Sequence, residues 1–266
     1  MSDPPLIDIR NATIYRGNTR VFDNFDLTIE QHEQVAILGP NGSGKTTLLK
    51  VVNREIYPVL KKDSWVRILG QSRWNVWELR SQIGVVSHDL QTRYRNNTSG
   101  FDIVLSGYLS TIGIHGRLRE RISKEQNRSA HQVLHALGIE SLANTPLRNM
   151  STGQQRRCLL GRALIHDPNT LILDEPTAGL DLAASFDYLA RISDLVTKGK
   201  NIVLVTHLLN EIPPDIKRIV LIREGLIIAD GHKEEVLTEE NLLRTYDTPI
   251  KLAQVNGYYL AYPAHR

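Results

Sequence analysis

The chain has 266 residues, of which 41% are hydrophobic, and its 32 basic and 29 acidic residues leave a formal charge of only +3. This composition supplies enough apolar material for a sizeable core, and the near balance of charge gives no indication of nucleic-acid binding. The single cysteine excludes an internal disulfide, and no apolar run approaches the roughly 20 residues that span a bilayer. We therefore expect a cytoplasmic protein without a secretory signal, in which any membrane-spanning part belongs to another chain.

The first part of the chain contains short predicted strands followed by a glycine-rich loop. Period-2 alternation predicts strands over residues 6–9 and 25–29, and the apolar run Val35–Leu38 predicts a buried strand. The loop covers residues 39–44, and residues 45–52 have the spacing of a helix. The sequence thus predicts an antiparallel β part near the N-terminus, then a strand, a loop and a helix in succession.

The middle of the chain becomes polar and helical before strands and helices alternate again. Helices are predicted over residues 102–108 and 123–137, and a loop over 143–149, which indicates a helical subdomain at about 90–160. Later strands are predicted over 170–173, Asn201–Thr206, Arg218–Arg223 and 226–230, and a helix over 182–198. We expect one mixed α/β core over residues 6–232, with a short helix and hairpin at 233–266 packed on it.

The glycine-rich loop matches the phosphate-binding loop of P-loop proteins at every specified position. Its glycines allow backbone N–H groups to surround an anion, and the following helix directs its positive end at the phosphates. Lys45 is expected to neutralise the β- and γ-phosphates, and the Thr46 hydroxyl to bind Mg²⁺. The predicted nucleotide-binding residues are Gly39, Pro40, Asn41, Gly42, Ser43, Gly44, Lys45, Thr46 and Thr47.

Two carboxylates follow the apolar run at residues 171–173. Asp174 is expected to hold Mg²⁺ through its water shell, and Glu175 to orient the attacking water or accept its proton. With the phosphate-binding loop, these residues predict hydrolysis of Mg-ATP, but they leave many P-loop enzymes possible.

The segment from Met150 to Gln154, followed by an arginine-rich helix, resembles the signature motif of the ABC ATPase family. Ser151 can cap a helix whose N-terminus offers N–H groups to a phosphate. The resemblance implies that this helix end serves the ATP bound to a second copy of the chain, so that two copies close head to tail on two ATP molecules. The residues expected in this role are Ser151, Thr152, Gly153 and Gln154.

Three further matches extend the resemblance over residues 6–232. Asp181 ends a segment similar to the family's D-loop, and His207 stands where the family has its switch histidine. Tyr15 occupies the place of the aromatic residue that stacks on adenine. The resemblance implies an α/β P-loop fold of the ABC type, with Glu175, His207 and Lys45 as catalytic residues.

His88 stands where the family usually has a glutamine that senses Mg²⁺ and links the core to the helical subdomain. Either His88 has taken over as a metal ligand, or the role has moved to Gln91 or lapsed. We favour the second alternative, because imidazole is a poor ligand for an ion that prefers oxygen. The ModF-like or photorepair-type ABC ATPases resemble this chain in carrying a variant at this position and in the Ser-Thr-Gly-Gln form of the signature motif.

Two functions remain open for such an ATPase. The first is the nucleotide-binding subunit of a transporter, which forms a homodimer on ATP binding and acts at the cytoplasmic face of the membrane on a separate transmembrane permease. The alternative is a soluble ModF-like ATPase that does mechanical work on a protein or nucleic acid. The signature motif excludes a P-loop kinase, and the short helical insert excludes a DNA-repair clamp with a long coiled coil.

Overall fold

The computed structural model describes residues 3–264. Its strands are β1 (Ile7–Arg16), β2 (Thr19–Ile29), β3 (Val35–Leu38), β4 (Trp65–Ile68), β5 (Ile83–Val86), β6 (Thr170–Asp174), β7 (Asn201–Thr206), β8 (Arg218–Arg223), β9 (Leu226–His232), β10 (Ile250–Val255) and β11 (Tyr258–Pro263). Its helices are α1 (Lys45–Val52), α2 (Val76–Gln82), α3 (His88–Thr92), α4 (Gly100–Leu105), α5 (Lys124–Ala136), α6 (Thr152–Leu164), α7 (Leu182–Thr197), α8 (Lys233–Val236) and α9 (Glu239–Tyr246). The chain divides into two compact units.

The first unit combines residues up to 76 with those from 201 onward. Its antiparallel sheet has the strand order β2-β1-β4, which confirms the predicted β part near the N-terminus. A second set of strands places β3 between β7 and β8, parallel to both, and β9 pairs antiparallel with β8. β3 is almost fully buried, as its continuous apolar run predicts for a strand covered on both faces.

The second unit covers residues 77–200 and contains the parallel pair β5 and β6 with most of the helices. Helix α5 agrees with its prediction and begins with a capping box formed by Ser123 and Gln126. Helix α4 ends at Leu105 rather than Tyr108, because residues 106–110 continue as tight turns with bonds such as Tyr108 N–H to the Leu105 carbonyl. The predicted loop at 143–149 contains a short 3₁₀ turn, Leu147–Asn149.

The C-terminal segment forms α8, α9 and the hairpin of β10 and β11. One helix followed by a hairpin was predicted here, and the described residues form two helices before the hairpin. Strand β11 packs against the turn Leu209–Glu211, which follows β7. Across residues 3–264, the structure contains no helix whose length and hydropathy would suit a bilayer crossing.

Candidate active site

The phosphate-binding loop joins β3 to α1 in the first unit. Gly44 immediately precedes α1 with φ at 112°, and a Cβ atom there would lie 2.8 Å from the Phe22 ring. A Cβ atom at Gly39 would lie 2.0 Å from the Ile222 carbonyl oxygen. Both positions therefore require glycine, the first for its left-handed backbone and both for close approach.

The loop and the first turn of α1 carry hydrogen-bond donors that can bind a phosphate. Lys45 is only 6% exposed, and its ammonium lies over the loop, donating to the Gly39 and Pro40 carbonyls at 2.7 and 2.9 Å. The buried Ser43 hydroxyl has no hydrogen-bond partner among the residues described. No side chain caps α1, so the N–H groups of its first turn remain available to a ligand. This set of donors fits a nucleotide phosphate.

His207 leaves the same edge of the sheet as the phosphate-binding loop. Leu38, at the end of β3, pairs with Thr206, at the end of β7, so the two segments that follow them start side by side. The Leu208 N–H donates to the Thr206 hydroxyl at 3.0 Å, and this hydroxyl also pairs with the buried Glu211 carboxylate. The backbone around His207 is therefore fixed by its own strand end.

Tyr15 lies near the end of β1, opposite Arg20 of β2. It is 44% exposed, although it belongs to a strand whose neighbouring residues are largely buried. An exposed aromatic face is available at this place, and the adenine-stacking role that the resemblance implies for Tyr15 stays a prediction.

The second unit brings the predicted carboxylates and His88 to one edge of its own strand pair. Val86 of β5 pairs with Leu173 of β6, so the residues that follow both strands emerge together. Glu175 has φ at 47°, in the left-handed region that few residues other than glycine adopt. This conformation belongs to the bend directly after β6, where the residue predicted to activate water stands.

His88 and Gln91 both lie on the short helix α3, which Ser87 caps. The Gln91 amide donates to the Gln155 carbonyl oxygen at 2.7 Å. Gln155 in turn donates to the carbonyls of Leu147 and Met150, directly before the signature residues. Gln91 therefore links the segment after β5 to the signature helix, a contact that local sequence patterns did not predict.

We expect Gln91→Ala to lower ATP turnover several-fold, because the link to Gln155 is lost and the segment before the signature residues loosens. His88→Ala is the matched change on the same helix, and it should keep turnover within about twofold of the unmodified chain, since imidazole suits Mg²⁺ poorly. Steady-state phosphate release measures both. A large loss in His88→Ala, with ATP affinity and folding intact, would instead assign the sensing role to His88.

The signature residues begin α6 with an exposed, capped N-terminus. The Ser151 hydroxyl accepts from the Gln154 N–H at 3.3 Å, and the Gln154 side chain accepts from the Ser151 N–H at 2.9 Å. Ser151 and Thr152 are exposed, whereas the later turns of α6 are largely buried. This confirms that Ser151 caps a helix, and it leaves the positive end of α6 open to solvent.

The segment predicted as a D-loop lies next to this helix end. Leu180 and Ala184 are the nearest neighbours of a Cβ atom placed on Gly153, at 3.9 and 3.3 Å. The Asp181 carboxylate caps α7 by accepting from the Ala184 N–H at 2.8 Å. Asp181 thus has a structural function of its own, and the signature and D-loop residues form one surface.

Comparison with known proteins places this geometry in a family. The family model described as ABC transporter matches residues 22–178, more than half of the chain. The chain belongs to the ABC transporter family. A relative in Bacillus subtilis, the uncharacterized ABC transporter ATP-binding protein YlmA, is 32% identical over 250 residues, which cover 92% of each protein.

Two solved ABC structures resemble most of the chain. CbiO1 of Clostridium perfringens, described as part of the ABC transporter complex CbiONQ, has a TM-score of 0.70 at 25% identity, covering 92% of this chain and 95% of CbiO1. The ATP-binding cassette MJ0796, in a dimeric post-hydrolysis state bound to ADP and Pi, has a TM-score of 0.68 at 25% identity, covering 85% and 98%. The fold is thus the α/β P-loop fold of ABC ATPases, as predicted.

The chain is accordingly an ATPase of the ABC type and the nucleotide-binding subunit of a transporter. The soluble ModF-like alternative is not favoured by these relatives. One feature that suggested it was the histidine at position 88, and Gln91 gives the chain another link from this segment to the signature helix.

Proposed function

We propose that two copies of the chain close on two Mg-ATP molecules, each held by the phosphate-binding loop of one copy and the signature helix of the other. The observation that carries this proposal is the exposed, capped N-terminus of α6, which presents a positive helix end to solvent. ATP favours the closed dimer because each γ-phosphate contacts both copies, and hydrolysis removes that contact.

Within each ATP site, we propose distinct roles for the residues predicted from the sequence. Lys45 and the first turn of α1 bind the phosphates, and Tyr15 stacks on the adenine. Thr46 and Asp174 would hold Mg²⁺, which neutralises charge on the phosphates when bound. Glu175 orients the attacking water and accepts its proton. His207 contacts the γ-phosphate and stabilises its position.

We propose that the partner driven by this cycle is a separate membrane permease, with the chain bound to it at the cytoplasmic face. CbiO1, a neighbour at 25% identity, is described as part of a multi-subunit transporter complex. The residues that select the transported substance would lie in the permease and not in this chain.

Affinity purification from detergent-solubilised membranes tests the partnership. We expect a polytopic membrane protein to be recovered with the tagged chain in near-stoichiometric amount. Lys45→Ala should recover the same partner, because this change affects ATP binding and leaves the rest of the surface intact. Recovery of the chain from membranes and cytosol with no polytopic protein in either fraction would contradict the proposal.

A further inference from the structure

The C-terminal segment contacts the backbone of the switch histidine directly. Tyr246, the last residue of α9, donates its hydroxyl to the His207 carbonyl at 3.3 Å, across 39 residues of sequence. Both residues belong to the first unit. Burial raises the pKa of Tyr246 well above its ordinary value, so the hydroxyl stays protonated and remains a donor throughout the physiological range.

We propose that Tyr246 is a positioning residue for His207, through which the C-terminal segment sets the orientation of the switch histidine. The inference rests on the role proposed for His207 in ATP hydrolysis. A hydrogen bond to the His207 carbonyl fixes the plane of the peptide that joins His207 to Leu208. The Leu208 N–H of this same peptide donates to the Thr206 hydroxyl, so the peptide is held from both of its polar atoms.

The same C-terminal segment holds the residues that follow the switch histidine. The Lys233 ammonium at the start of α8 is buried and donates to the Pro213 carbonyl at 2.9 Å. At the turn of the hairpin, Gly257 packs so closely that a Cβ atom on it would lie 2.9 Å from Pro214. Residues 207–214 are therefore held by both helices and the hairpin of the C-terminal segment.

A cavity of about 420 Å³ is lined both by the hairpin and by the start of this segment. His207 and Tyr246 line it together with Ile250, Leu260 and Tyr262 of the hairpin. Because this cavity lies beside His207, packing alone does not fix the backbone at His207. The Tyr246 hydroxyl is one of two groups that hold the peptide between His207 and Leu208, so its removal should let this peptide shift.

The test is Tyr246→Phe, which removes the hydroxyl and keeps the ring. We expect kcat for ATP hydrolysis to fall roughly three- to tenfold with an unchanged KM for ATP, as one hydrogen bond of ordinary strength allows. The control is Tyr262→Phe, a change on the same cavity at a side chain that is about half exposed, and it should leave kcat unchanged. Melting temperatures report whether either variant is generally destabilised.

The double variant separates positioning from general damage. In a His207→Ala background, measured by single-turnover hydrolysis of radiolabelled ATP, Tyr246→Phe should cause no further loss, because its effect acts through the missing imidazole. An equal loss in both backgrounds, or no loss in either, would overturn the positioning role while leaving His207 in place. If His207→Ala alone hydrolysed ATP at the normal rate, the catalytic role of His207 would be refuted. The positioning role of Tyr246 would then be refuted as well.

Discussion

Glu175→Gln is expected to lower ATP turnover by at least about 10²-fold while ATP still binds, since a positioned proton acceptor contributes about that much. The amide has the size of the carboxylate but cannot accept a proton from water. Steady-state phosphate release gives the turnover, and titration with a fluorescent ATP analogue gives the affinity.

The matched control for this variant is Glu224→Gln. Glu224 follows strand β8 with φ at 50°, close to the 47° of Glu175, and its side chain is 79% exposed. This change should leave turnover unaltered, which would separate loss of the proton acceptor from disturbance of a strained turn. Near-normal hydrolysis by Glu175→Gln would refute the catalytic role of this carboxylate.

Mixing two inactive variants should restore activity. Lys45→Ala damages the phosphate-binding loop and Ser151→Arg blocks the signature helix, so either homodimer has two damaged sites. A mixed dimer has one site with both changes and one with neither. Turnover should rise on mixing to about a quarter of the unmodified rate, because random pairing leaves about half of the dimers mixed.

The complementation experiment needs proof that subunits exchange. Differently tagged copies, captured through one tag and detected through the other, report the mixed dimer. If mixed dimers form and turnover never exceeds that of either parent, ATP is not shared between two copies, and each chain must complete its own site.

Local sequence patterns predicted most of the fold. Strand β3 is recognisable as a continuous apolar run, and α5 from its helical spacing. The phosphate-binding loop is recognisable because its glycines and Lys45 must occupy fixed positions around an anion. These features depend on residues close together in the chain, which a single sequence displays.

The contacts that join distant segments could not be predicted in the same way. The bond from Gln91 to Gln155 spans 64 residues, and the bond from Tyr246 to His207 spans 39. Nothing in the sequence around Gln91 or Tyr246 indicates which distant residue each of them contacts. The left-handed conformation of Glu175 is likewise a consequence of the turn after β6, which residue types do not indicate. The sequence names candidate site residues, but it does not show the distant contacts that hold them in place.

The most direct test of the shared site is the mass of Glu175→Gln in the presence of Mg-ATP. Size-exclusion chromatography with light scattering, followed by quantification of the released nucleotide, gives both the number of chains and the number of ATP molecules. We expect a particle of twice the monomer mass that contains two ATP molecules, and a monomer when ADP replaces ATP. A monomer that retains ATP at saturating concentration would contradict the composite site.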